Sequence, residues 1–276
     1  MRLDKLLEIL TRTPLLMRPE RVDSLVTLFH QHAHLNKEEF KAAREGVDWC
    51  GDPVELEQMT IEDGLAMIPV KGPLGIGLDA FEKGAGATDY ADIMDDVRKA
   101  NENPKVENIL LVMDTPGGMW GGLLECAAAI EASAAPVYCF VPAGGMVASA
   151  GMFLAAVCAG RFLSPSASAG SIGVYCAIVD TSKIAEDRGL KIKVFSSGTY
   201  KGMGYPGTSL TEAQEELLQT EVMDMAQVFY DHMRANLGDI ADESMQGQMF
   251  RAPEAVKLGF ADDVVQDLDA LKEFLG

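Results

Sequence analysis

The chain has 276 residues, 48% hydrophobic and 24% charged, with 23 basic against 42 acidic side chains and a formal net charge of −19. This length buries a sizeable core, and the composition is that of a globular protein. The acidic excess argues against nucleic acid and anionic membrane surfaces as partners. No run approaches the ~18 apolar residues of a membrane helix, so no membrane span and a cytoplasmic location are expected.

In chain order, residues 1–62 read as a helical N-terminal appendage, with amphipathic stretches over 2–11 and 19–34 and a charged helix over 37–45. From 63 to 276 the pattern changes to strand–helix alternation. Strands are predicted over 64–74 and 106–114, each followed by a helix (89–103 and 117–134). A buried strand over 137–141 leads to a helix of small residues over 146–158. Short strands over 161–165 and 174–180 flank the turn SASAGSIG. A helix over 181–190 and a strand over 191–198 follow. A long amphipathic helix over 211–238 has Thr211 as its N-cap. A short strand over 261–265 lies between two last helices. Apolar strands without alternation belong to a sheet covered on both faces, so the fold class is α/β.

Two residues stand in chemically suggestive contexts. Ser149 lies in GGMVASAGMFLAA, a small and apolar run, and Lys201 lies in FSSGTYKGMGYP, after a predicted strand that should partly shield it. A serine becomes a nucleophile when a base takes its proton, and a desolvated lysine can be that base. An ordinary lysine amine titrates near ~10.4, so working near pH 7 requires ~4 kcal/mol of preference for the neutral form. The turn DTPGG (114–118) puts glycine N–H groups where a strand meets a helix, an arrangement suited to an oxyanion. GSIGV (170–174) brings Ser171 toward the same cavity.

The four histidines are His30, His32, His34 and His232, all outside 64–210. A Ser-His-Asp triad would therefore need a histidine from the appendage or the late helix. His30 and His34 share a helix face, but a zinc site wants further ligands, so neither metal nor cofactor is expected. The five cysteines (Cys50, Cys126, Cys139, Cys158 and Cys176) show no CxxC spacing and read as reduced thiols.

The blocks IPVKGPL, LLVMDTPGG, GGMVASAGMFLAA, GSIGV, SSGTYKGMGYP and FRAPEAVKLGFADDV, in this order over 64–265, resemble the signal peptide peptidase A (SppA) family of serine–lysine peptidases. The soluble branch containing phage prohead proteases is the nearest match. The resemblance implies a Clp protease/crotonase-like fold of repeated ββα units. It also implies Ser149 as nucleophile, Lys201 as general base, the N–H groups of Gly118 and Ala150 as oxyanion hole, and Ser171 as the residue orienting the lysine. The family forms homo-oligomeric rings, in which serine and lysine can come from neighbouring subunits. The expected activity is endopeptidase cleavage of peptide or protein substrates, in capsid maturation or as a cytoplasmic SppA-like peptidase. Two alternatives remain open on the sequence: a crotonase-like acyl-CoA enzyme, which gives Lys201 no role, and a non-catalytic ring scaffold.

Overall fold

The computed structural model describes residues 15–17, 58–78, 80–84 and 86–275. The helices expected before residue 46, the three histidines there and Cys50 lie outside the described residues. In chain order the strands and helices are β1 (Leu15–Met17), β2 (Thr60–Glu62), β3 (Leu65–Lys71), β4 (Leu74–Gly75), α1 (Ala80–Gly84), β5 (Thr88–Asp89), α2 (Tyr90–Glu102), β6 (Asn108–Asp114), β7 (Gly117–Met119), α3 (Leu123–Glu131), β8 (Val137–Val141), β9 (Met146–Ala148), α4 (Ala150–Ala156), β10 (Gly160–Leu163), β11 (Ser168–Gly170), α5 (Ser182–Asp187), α6 (Glu212–Leu237), β12 (Met249–Arg251), α7 (Ala252–Lys257), β13 (Asp263–Val264) and α8 (Leu268–Leu275).

The main sheet has the order β13-β10-β8-β6-β3-β2 and is parallel except for edge strand β2. After β3, β6, β8 and β10 the chain enters a second, shorter strand (β4, β7, β9 and β11) that belongs to another sheet. In the two middle units a helix follows at once: β6-β7-α3 and β8-β9-α4. This is the repeated ββα architecture expected from the sequence, seen in the chain's own topology.

Strand β6 shows why the apolar runs do not alternate. Ile109, Leu111 and Met113 enter the large core beneath α2, α3, α4 and α6, while Leu110 joins Phe140, Phe162 and Leu271 on the opposite face, where α8 covers the sheet. Each fully buried leucine or isoleucine here contributes ~1.5–3 kcal/mol relative to exposure. Helix α2 starts where Asp89 accepts the Ala91 N–H at 2.9 Å. Thr211 and Gln214 form a reciprocal capping box at the start of α6, satisfying N–H groups that a helix leaves unpaired.

Four predicted elements are corrected. The helices predicted to begin at 117 and 146 start later, because β7 and β9 occupy the first residues of those segments. Periodicity reads small residues as helix, but pairing partners capture them here. The strands predicted over 174–180 and 191–198 do not form as elements of any sheet. Val179, Val194 and Phe195 are instead 71%, 45% and 90% exposed. Their apolar pattern thus belongs to an arm that the rest of the described chain does not cover.

Candidate active site

Thr115, the first residue after β6, fixes the site's geometry. It is fully buried. Its N–H donates to the Met146 carbonyl at 2.7 Å, and its own carbonyl accepts the Ala148 N–H at 3.1 Å. Its hydroxyl donates to the Gly72 carbonyl at 2.6 Å and accepts the Gly117 N–H at 3.1 Å. The Asp114 carboxylate adds a bond from the Met146 N–H at 3.0 Å. One threonine thereby locks β7 to the chain leading through β9 into Ser149. Sequence reasoning passed over Thr115; the available signal was a polar pair closing an otherwise apolar strand.

Strands β9 and β11 run parallel with Ala148 opposite Gly170, so the next residues, Ser149 and Ser171, leave the sheet side by side. Both have positive φ, 53° and 57°, unusual for residues with a Cβ. Such conformations cost on the order of 1–3 kcal/mol and persist where neighbours over-determine them. Here the Ser149 N–H donates to the Gly170 carbonyl at 2.9 Å and the Ser171 N–H to the Gln248 carbonyl at 2.6 Å.

Ser149 is the N-cap of α4 and only 2% exposed, yet its hydroxyl makes no capping bond. The Oγ lies 3.5 Å from the Gly173 carbonyl, long for an O–H···O bond. Serine at this position ordinarily caps the helix; this one does not. The buried Ala150 is the first helical residue, in the turn whose N–H groups lack partners within the helix. A Cβ on Gly151 would fall 2.5 Å from the Thr115 side chain, so the Ser-Ala-Gly sequence is small because α4 rests directly on Thr115. At Gly118, between Leu16 of β1 and Leu74 of β4, a Cβ would fall 1.9 Å from the Leu74 carbonyl oxygen. Tyr90 is buried beneath and donates its hydroxyl to the Met119 carbonyl at 2.8 Å, and burial pushes its phenol well up.

Of the five residues singled out from the sequence, Ser149, Ala150 and Ser171 follow the ends of β9 and β11, and Gly118 lies in β7, which Thr115 ties to β9. Lys201 does not join them. It is exposed in a run of turns, contrary to the expected shielding, and among the described residues no hydrogen bond links it to Ser149.

Rival nucleophiles and bases nearby are chemically quiet. Burial holds Cys139 far up, and moves Cys126 and Cys158 to about 12, so these thiols stay protonated. His232 on α6 stacks on Phe153 of α4 with ring centroids 3.5 Å apart, and its Nε2 donates to the Phe153 carbonyl at 2.8 Å. Its imidazole is committed to the back of the helix rather than to Ser149. Among the described residues no cluster of three or more metal-binding side chains occurs, and no helix is long and apolar enough to cross a membrane.

A strained, buried, uncapped serine thus stands beside glycine-rich turns on a ββα scaffold. Comparison with known proteins shows the family. The model of peptidase family S49 matches residues 129–274. The capsid assembly protease C of Escherichia phage lambda is 31% identical over 223 residues, 79% of this chain and 50% of that protein. The head-tail preconnector protein GP5 of Enterobacteria phage P21 is 25% identical over 213 residues, 76% of this chain and 42% of that protein. The chain belongs to peptidase family S49. It spans about half the length of these curated relatives. Among solved structures, a mutant of the 1510-N membrane-bound stomatin-specific protease superposes with a TM-score of 0.49 at 17% identity, over 78% of this chain and 85% of that one. The fold follows from the sheet order and the family.

Proposed function

We propose that this chain is a serine endopeptidase in which Ser149 is the nucleophile and Lys201, supplied by a neighbouring copy, is the general base. The conformation of Ser149 carries the reading: a buried hydroxyl held off its helix at φ 53° has a purpose other than capping. The neutral lysine amine takes the hydroxyl proton as Oγ bonds to the peptide carbonyl. The N–H groups of Gly118 and Ala150 hold the resulting oxyanion. The ammonium then protonates the leaving amine as the C–N bond breaks, leaving an acyl-serine. Water attacks that ester, giving its proton to the lysine, which returns one to Oγ as the acid departs. Ser171, side by side with Ser149 in register, orients the lysine amine. The peptidase domain takes in residues 63–276 together with edge strand β2 (Thr60–Glu62), and the residues before β2 form an appendage to it.

The exposure of Lys201 supports a shared site. The arm bearing it presents Val179, Leu190, Phe195, Tyr200 and Tyr205, all at least 48% exposed. So many large apolar side chains exposed on one short segment suit a contact surface. Packing it on a second copy takes the amine out of water, the condition a neutral base needs. The substrate pairs in extended form along the β7 edge, by backbone hydrogen bonding. Kinship with the phage lambda capsid assembly protease makes a capsid component the favoured substrate class, ahead of a cellular SppA-like role.

The test mixes two inactive proteins. Ser149→Ala and Lys201→Ala each lose turnover by ~10⁴-fold or more, and their mixture regains a substantial fraction of it. Wild-type turnover in either variant defeats the dyad; silence of the mixture places both groups in one chain.

A further inference from the structure

Strand β1 lies where the substrate strand is expected. Leu15, Leu16 and Met17 pair antiparallel with Met119, Gly118 and Gly117, so Leu16 sits opposite the glycine assigned to the oxyanion hole. The other edge of β7 is taken by β4. The chain therefore has one β7 edge to offer, and its own N-terminal segment holds it. β1 is itself the outer strand of its sheet, and it comes from a part of the sequence far from β7. In a chain with only local pairings here, that edge would face incoming peptide.

The sequence fits the task. Pro14 and Pro19 bracket Leu-Leu-Met. The residue before a proline favours extended backbone, and a proline lacks the N–H needed to lengthen a ladder. A short extended run with apolar side chains, limited at both ends, is what such a bracket specifies.

We propose that Leu15–Met17 is an internal pseudosubstrate, which occupies the peptide-binding edge of β7 and must leave before an extended apolar peptide can bind. This rests on β7 being the substrate edge, as in the functional reading above. Three residues of pairing are weak by themselves, but tethering raises the local concentration of the segment to roughly the millimolar range. A substrate must therefore compete with an occupant that is always present. A segment in place nine-tenths of the time lowers apparent affinity about 10-fold, because only the open fraction binds.

The experiment uses the full chain carrying Ser149→Ala, so that no cleavage intervenes. The probe is a fluorescein-labelled peptide reproducing residues 11–21, followed by anisotropy. A second protein adds Leu15→Pro, Leu16→Pro and Met17→Pro together, which removes every N–H donor of β1; Leu16→Pro alone serves if the triple variant melts at a lower temperature. The proline variant binds the probe about 10-fold tighter than its parent, while a probe with prolines at those three positions binds neither. Equal affinity for the two proteins, or no binding to either, overturns the proposal. The peptidase reading fails separately: wild-type assemblies that hydrolyse no peptide refute it, yet leave this binding comparison readable.

Discussion

Residues 65–170 and residues 174–210 lie in one chain but solve different problems. The first stretch is paired, buried and over-determined: Thr115 alone makes four hydrogen bonds, and Gly118, Ser149 and Ala150 are buried. The second has one short helix, α5, and carries its largest apolar side chains in solvent. On the proposed reading, the nucleophile's half of the site is finished within a single chain and the base's half is not, so the chain gains turnover only on assembly.

The sharpest way to break the comparison is Gly118→Ala. The added methyl meets the Leu74 carbonyl oxygen and pushes β7 off β4. Turnover falls ~10²–10³-fold, as on losing an oxyanion donor, and the melting midpoint drops as well. Normal turnover and stability would mean the first stretch is looser than its hydrogen bonds imply. Phe195→Asp probes the second stretch. At 90% exposure its effect on the stability of one chain stays within about ±0.5 kcal/mol. Loss of a buried aromatic anchor at the contact costs ~2 kcal/mol or more, so light scattering shows dissociation and turnover falls ~30-fold at fixed concentration. An unchanged particle mass would remove the arm from the interface.

The smallest effect is on pH dependence. Burial holds the His232 imidazole below its ordinary value near 6.5, with the bond to Phe153 opposing. The unfolded chain thus takes up a proton below that value before the folded chain does. The stability from neutral His232 is present above about pH 6.5 and is lost as pH falls through the window beneath it. Calorimetry between pH 7 and 5 should show a slightly smaller drop in melting midpoint for His232→Gln than for the parent. An identical slope would mean that the histidine keeps its ordinary titration in the fold.

Much of this was legible in advance. Leu65–Lys71, Asn108–Asp114 and Val137–Val141 announce themselves by apolar runs, Tyr90–Glu102 by helical spacing, and Glu212–Leu237 by its cap. Ser149 and the DTPGG glycines stood out because small residues and glycines in those places have few other uses. The short strands β7 and β9 did not stand out. Three residues carry no period, and only their partners (Leu74 for Gly118, Gly170 for Ala148) make them strands.

The sequence by itself determined the α/β alternation, the family and the identity of the candidate nucleophile, because local composition and ordered motifs encode them. Tertiary structure alone decided that Ser149 is strained and uncapped, that Thr115 joins β7 to β9, that Lys201 stands in solvent and that Leu15–Met17 lies on the β7 edge. Those four facts depend on which distant backbone groups meet, and hydrogen-bond partners far apart in a chain leave no local trace in its residues.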